Sequence, residues 1–259
     1  MVIGVADAVG LACALALAAD DALVVAVDDD SAAADRVVEA VGETGGRALA
    51  FTADLAEEDA LVKVARAVER QAAAVHALVN AHFALEWVTL EASTMTGWEA
   101  VVRRNVLGPV AATRAFLPLL KRGGGDPGGA AVVHLGSVDG FQGNPMVPSY
   151  SVSKGAIPAM THVMAFELAP FGIRVNCVAR AAVESSPALG SRRHDDAMAS
   201  TPLGRPARGE EIGAAVAFLA GPAASYVTGS TLVVDGGRSG LTPGTAIVPN
   251  RGDDFTRLR

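Results

Sequence analysis

"VIGVADAVGLACALALAADDALVVAVDDD", residues 2–30, decides the fold, because it reads in order as strand, turn, helix, strand and acid. The helical segment after Val9 places Leu11, Leu15 and Ala18 on one stripe, as a surface helix packed on a sheet requires. In the turn, Gly4 allows a tight bend and Gly10 allows close helix packing. Ala8, in the middle position, is small enough for a phosphate to come near. The helix N-terminus offers its amide groups to a pyrophosphate. Asp28 ends the second strand about twenty residues on, where a carboxylate accepts hydrogen bonds from both hydroxyls of an adenine ribose and repels a 2'-phosphate. No Arg or Lys stands in the turn, and Asp29 and Asp30 follow, so NAD is expected rather than NADP.

The alternation continues outward from this stretch. Short apolar, β-branched runs follow at 22–28, 48–55, 77–81, 130–137, 173–179 and 230–237, separated by longer segments with helical spacing. In the segment 59–70, Leu61, Val64, Ala65 and Val68 form an apolar face beneath a charged one. Repeated βαβ units predict an α/β fold, a single-domain Rossmann-type doubly wound parallel sheet in three layers, spanning 1–238. With the chain starting at Met1 the first strand is nearly absent, and a weakened sheet edge beside the dinucleotide turn is expected. "RGGGDPGG", 122–129, precedes a strand and lacks a following Lys-Ser/Thr pair, so it reads as a connector. Residues 239–259 mix Pro, Gly and charge without periodicity and read as a tail.

A chain of 259 residues, 51% hydrophobic and 19% charged, has the composition of a well-packed soluble globule. Its formal charge of -7 argues against nucleic acid as a partner, which clustered Lys and Arg would have to bind. No segment approaches the roughly 20 apolar residues of a membrane span. Cys13 and Cys177 lie in apolar runs and read as small core residues rather than a disulfide. A cytoplasmic enzyme acting on a small molecule is expected, with no metal site.

"SYSVSKG", 149–155, sets Tyr150 and Lys154 one helical turn apart on the same face. A free phenol titrates near 10 and is a poor acid or base at neutral pH unless a positive charge favours its phenolate. Lys154 is placed to supply that charge. Ser137 ends a strand, and in an open parallel sheet ligands bind beyond the carboxyl ends of the strands. The three side chains therefore suggest proton exchange by Tyr150 with an alcohol or carbonyl oxygen, which Ser137 also hydrogen-bonds, while hydride passes between the substrate carbon and a nicotinamide. Lys154 would also hold ribose hydroxyls.

"SYSVSK" with "LGSVDG", "RRNVLGP", "FGIRVN" and "YVTGSTLVVDGG" resembles the short-chain dehydrogenase/reductase family over nearly the whole chain. The resemblance implies a nicotinamide-dependent oxidoreductase acting on a secondary alcohol or ketone, assembled as a tetramer or dimer with the Tyr-Lys helix in one interface. It makes Asn105 the fourth catalytic residue, thought to hold a water linking Lys154 to solvent. It also implies cofactor contacts at Gly4, Asp7, Val9, Gly10, Asp28, Asp54, Leu55, Asn80, Ala81, Tyr150 and Lys154. Val183 is expected to contact the carboxamide through its backbone, and Ser185 through its hydroxyl.

The sequence departs from that pattern beside the nicotinamide. Ile3 replaces Thr before Gly4, "NAHF" at 80–83 replaces Asn-Asn-Ala-Gly, and Arg180-Ala181 replaces Pro-Gly. His82 and His134 read as structural histidines, and Pro158 predicts a bend beside Lys154. Segment 186–201 occupies the place of a substrate cover, and Trp87, Phe141, Met146 and Val147 are candidates to line an apolar pocket for a hydrophobic or cyclic substrate. These departures leave two alternatives: a non-redox dehydratase, isomerase or cyclase, or a catalytically silent NAD-binding protein.

Overall fold

The computed structural model describes residues 1–18, 22–184 and 201–240. Seven strands form one sheet: β1 (Val2–Ile3), β2 (Leu23–Asp28), β3 (Arg47–Thr52), β4 (Ala77–Asn80), β5 (Ala130–Ser137), β6 (Ile173–Arg180) and β7 (Thr231–Val234). Their order is β3-β2-β1-β4-β5-β6-β7, and every neighbouring pair is parallel. The described helices are α1 (Ala8–Ala18), α2 (Ser31–Glu43), α3 (Glu58–Glu69), α4 (Met95–Val102), α5 (Gly108–Gly124), α6 (Asp139–Gln142), α7 (Pro148–Leu168) and α8 (Gly209–Ala220).

Side chains alternate across the sheet with the period of two that a pleated strand dictates. Ile3, Val25, Val27, Leu78, Val132 and Val175 pack with α3 and α5 on one face. Val2, Val24, Ala26, Val79, Val133 and Val178 pack with α1, α2 and α8 on the other. This is the three-layer arrangement the alternating runs predict. On α3, Leu61, Val64, Ala65 and Val68 are buried, as their spacing requires.

The nearly absent first strand is found, and two other expectations are corrected. β1 is only two residues long, yet it lies inside the sheet between β2 and β4. Backbone bonds on both sides hold it, with Ala81 N–H donating to Ile3 O and Gly4 N–H to Val27 O. On α1, Ala18 of the expected stripe is buried, Leu11 and Leu15 are only partly buried against the core, and Val9, Ala12, Cys13 and Ala14 are the more deeply enclosed residues. The reason is a second contact: a Cβ on Gly213 would lie 2.7 Å from the Ala12 carbonyl, so α1 and α8 meet through small residues. The stretch at 122–129 is likewise not wholly a connector, since α5 continues to Gly124.

The strand order reverses between β1 and β4, the topological switch point beyond which ligands bind in such sheets. There Gly4 adopts φ +88°, and a Cβ on it would lie 2.9 Å from the Ala81 carbonyl. α7 continues through Pro158 to Leu168, so that proline does not end the helix.

Phe116, on α5, is fully buried among β-strand and α3 side chains. Phe116→Ala should cost about 3–5 kcal/mol of unfolding free energy in a denaturant titration. A loss below about 1 kcal/mol would contradict this packing.

Candidate active site

α7 opens with Pro148, whose fixed φ suits the first helical turn, and it carries Tyr150 and Lys154 against β5, β6 and the loop that follows β4. Both side chains are buried. The Lys154 ammonium donates to Leu135 O at 2.8 Å and to His82 O at 3.2 Å. Ser137, at the end of β5, bears on the ionisation of the Tyr150 phenol. The Ser137 hydroxyl oxygen accepts the Asp139 N–H at 3.1 Å. Ser137, Tyr150 and Lys154 are thus brought together, as their positions in the sequence suggest.

Their electrostatics differ from the simple expectation. Burial pushes the Tyr150 phenol above its ordinary value, while Arg180 and Ser137 pull it down. Burial also lowers Lys154 to about 7, with Arg180 adding to the effect. Lys154 lies 5.8 Å from the phenol ring centroid, and its ammonium is held by backbone carbonyls.

Asn105 lies in a π-helical turn, Arg103–Leu107, and is fully buried. Its Oδ1 accepts from Ala84 N–H at 2.7 Å, and its Nδ2 donates to Ala84 O at 2.8 Å and to Ser153 Oγ at 2.9 Å. That side chain fastens the 83–85 loop to α7.

Asp28 is turned inward. Its Oδ2 accepts from Val5 N–H at 2.6 Å and Ala6 N–H at 2.9 Å, and its Oδ1 accepts from Asp30 N–H at 3.0 Å. The carboxylate therefore braces the glycine turn. Of the roughly four lone-pair positions on a carboxylate, about one is left for a ribose hydroxyl. Burial pushes Asp28 up, whereas the neighbouring Asp29 is held down to about 2 by Arg104. Arg104 grips Asp29 through both guanidinium nitrogens, at 2.5 and 3.0 Å. The sequence reading missed this pair, because nothing local links residues so far apart.

Asp7 caps α1, its Oδ1 accepting from Gly10 N–H at 2.8 Å, and its Oδ2 lies 3.8 Å from Arg180. Val9 is buried against the sheet. Asp54 is exposed, with Oδ1 accepting from Ala56 N–H at 2.9 Å, and Leu55 beside it is buried. Ala81 forms the close contact with Gly4. Val183 is buried and bridges to Ala207. Ser185 and residues 186–200 lie outside the described residues, as does the tail from 241.

The histidines are structural. His82 Nε2 donates to Leu55 O at 3.1 Å, and His134 Nδ1 accepts from Asn80 Nδ2 at 3.1 Å. Burial holds both rings neutral, with values lowered to about 3. Asn80 also donates to Thr113 Oγ1 at 3.3 Å, which makes it part of the interior network. Phe83, Leu85, Val101 and Val147 pack around Tyr150, whereas Trp87, Phe141 and Met146 are exposed beside them.

The site fits a dinucleotide on the geometry of its turn. A Cβ on Gly10 would overlap the Gly4 carbonyl, and Gly4 itself has no room for one, so the glycines let the turn pack closely against the start of α1, whose first amides suit a phosphate. A family model described as enoyl-(acyl carrier protein) reductase matches residues 4–239. The chain belongs to the short-chain dehydrogenase/reductase family, a family of oxidoreductases. It is 38% identical over 245 residues to galactitol 2-dehydrogenase (L-tagatose-forming) of Cereibacter sphaeroides, covering 91% of this chain and 92% of the relative. It is 34% identical over 243 residues to cis-4-hydroxycyclohexanecarboxylate dehydrogenase of Sinomonas cyclohexanicum, covering 92% and 94%. The crystal structure of gox2181 superposes with a TM-score of 0.85 at 29% identity, covering 92% of this chain and 94% of that one.

Lys154 gives the site a stability signature. Its folded value of about 7 lies below the ordinary 10.5, so between these limits the unfolded chain holds a proton that the folded chain has released. Stability therefore rises with pH across that window, and the cost of the buried charge is greatest below it. Lys154→Met abolishes this titration. Its melting temperature relative to wild type should be most favourable near about pH 6 and fall steadily toward about pH 10. A difference that stays flat over that range would contradict a buried, depressed Lys154.

Proposed function

We propose that the chain is an NAD-dependent dehydrogenase or reductase of secondary alcohols and ketones, with Tyr150 as its acid/base group. The observation that carries this reading is that Tyr150 and Lys154 are buried one helical turn apart on α7, with Ser137 ending β5 at the carboxyl edge of the sheet. A nicotinamide bound beside them supplies or accepts the hydride.

The chain's own residues divide the remaining work. Ser137 Oγ accepts a backbone N–H, and its one hydroxyl hydrogen would turn from the phenol to the substrate oxygen and stabilise charge developing there. Tyr150 takes the alcohol proton during oxidation or returns it to the carbonyl oxygen during reduction. Lys154 is held close to neutrality in its titration, suited to passing that proton onward or to holding a ribose hydroxyl. Asn105 keeps the loop beside Tyr150 in place.

Gly4, Asp7, Val9 and Gly10 would form the pyrophosphate turn, with Asp54, Leu55, Asn80 and Ala81 along the adenosine path and Val183 toward the carboxamide. NAD is favoured over NADP by the run Asp28–Asp30, since a 2'-phosphate would meet this acidic strand end and the Arg104 guanidinium is already engaged by Asp29. The apolar wall of Phe83, Leu85 and Val147 suits a cyclic secondary alcohol, the class named for the Sinomonas relative. A homo-oligomer is supported by Val152 at 58%, Val163 at 58% and Phe166 at 86% exposure, all on one stripe of α7. We place the enzyme in the cytoplasm, in keeping with its two free cysteines.

Nicotinamide fluorescence titration with the reduced forms of NAD and NADP, followed by cofactor absorbance with the oxidised forms and a panel of cyclic alcohols, tests this function. NAD should bind more tightly, and an alcohol should reduce it. Absence of binding would refute the reading. Product without net oxidation would point instead to a dehydratase, isomerase or cyclase, and binding without turnover to a silent NAD-binding protein. Tyr150→Phe should lower kcat by about 100-fold to 10,000-fold while cofactor affinity is retained. Activity within a few-fold of wild type would rule out Tyr150 as the acid/base group.

A further inference from the structure

The acidic run Asp28–Asp30 divides its work among its carboxylates. Asp28 is committed to the backbone, accepting from the N–H groups of Val5, Ala6 and Asp30. Asp30 caps α2, its Oδ1 accepting from Ala32 N–H at 3.0 Å, and its Oδ2 lies 4.0 Å from Arg36. Asp29 reaches instead to Arg104, in the π-helical turn between α4 and α5. Both of its oxygens accept from the guanidinium, the forked geometry in which arginine binds carboxylates and phosphates.

Arg104 itself is enclosed. Its side chain is 21% exposed, against 48% for Asp29, and its Nε is buried with no hydrogen-bond partner among the described residues. The turn that carries it is fixed by the neighbouring Asn105, which holds Ala84 and Ser153. Asp28 and Asp54 also bear on the guanidinium, so it stands among the acids of the adenosine side. A partly buried guanidinium with an idle donor is poorly solvated and needs an anion, which Asp29 supplies.

In a sheet of this kind the acid at the strand end meets the ribose hydroxyls, and a nearby arginine accommodates a 2'-phosphate. Asp28 keeps about one lone-pair position for a hydroxyl. A phosphate on that hydroxyl would arrive beside Asp29, within reach of a guanidinium whose charge Asp29 has already cancelled. We propose that Arg104 is a 2'-phosphate ligand held out of use, and that Asp29, by gripping it, sets the choice between NAD and NADP. The proposal rests on the reading of the crevice as a dinucleotide site, and its test needs neither substrate nor hydride transfer. Removing the Asp29 carboxylate leaves the turn brace of Asp28 and the α2 cap of Asp30 in place.

Dissociation constants for NADH and NADPH would be measured by nicotinamide fluorescence. Adenosine 5'-phosphate and adenosine 2',5'-bisphosphate, compared by calorimetry, are probes that lack the nicotinamide. In Asp29→Ser, the preference for NADH over NADPH should fall about tenfold or more, since a charge-assisted contact to the phosphate becomes available. The bisphosphate should gain on the monophosphate likewise. Adding Arg104→Met, which replaces a neutral ion pair by a neutral pair of side chains, should return both preferences to within about threefold of wild type. Asp30→Ser removes the same charge, keeps a capping hydroxyl and frees no guanidinium, so it should shift them by less than about threefold.

A preference unmoved in Asp29→Ser, one that stays relaxed after Arg104→Met is added, or an equal relaxation in Asp30→Ser would overturn the proposal. Should Asp29→Ser fail to fold by circular dichroism, Asp29→Asn, of nearly the same size, decides by the same criteria. Failure of the wild type to bind any of these nucleotides would fault the dinucleotide reading itself, and the proposal with it. NADH binding with an unmoved preference would fault the role of Arg104 alone.

Discussion

The Lys154 ammonium is gripped by the carbonyls of Leu135 and His82, and the rest of the site depends on that grip. One carbonyl belongs to β5 and the other to the loop leaving β4, so a single side chain ties α7 to two strand ends at once. Tyr150 lies one helical turn away on the same face, and Ser137 lies two residues beyond Leu135. The desolvation of an ammonium is a real cost, and two charge-assisted hydrogen bonds compensate part of it. What results is a rigid placement of the phenol at the mouth of the sheet, with Asn105 fastening the adjoining loop.

Around that anchor, acids and bases are paired across chain segments distant in sequence. Asp28 braces the glycine turn, Asp29 grips Arg104 from the π-helical turn, and Asp7 both caps α1 and faces Arg180. Each pairing draws together the two sides of the crevice at the switch point. A dinucleotide entering there would meet a framework whose charges are already balanced. Its binding energy would then come from the remaining amides at the start of α1 and from shape more than from unpaired cations.

Much of this was legible in the sequence, for physical reasons. Strand runs of β-branched residues alternate between the two cores, and the acid at 28 marks a strand end beside the turn. The Tyr150–Lys154 spacing is a property of any helix. Other parts were hidden. The stripe of Leu11 and Leu15 looks like a core face, but α1 also packs against α8, and small residues decide that contact. The inward turn of Asp28 depends on backbone amides, which carry no sequence signal. The Arg104–Asp29 and Arg180–Asp7 pairs form only when the sheet closes, and Lys154 is satisfied by carbonyls that any residue would supply.

The central claim is that the buried phenol lies over a site of hydride exchange, and isotope tracing tests it most directly. A cyclic secondary alcohol carrying deuterium on its carbinol carbon would be turned over with NAD, and the nucleotide recovered for NMR. The account predicts deuterium at C4 of the nicotinamide, on a single face. Product formation with the label released to water, or retained in the product while the nucleotide stays unlabelled, would contradict it.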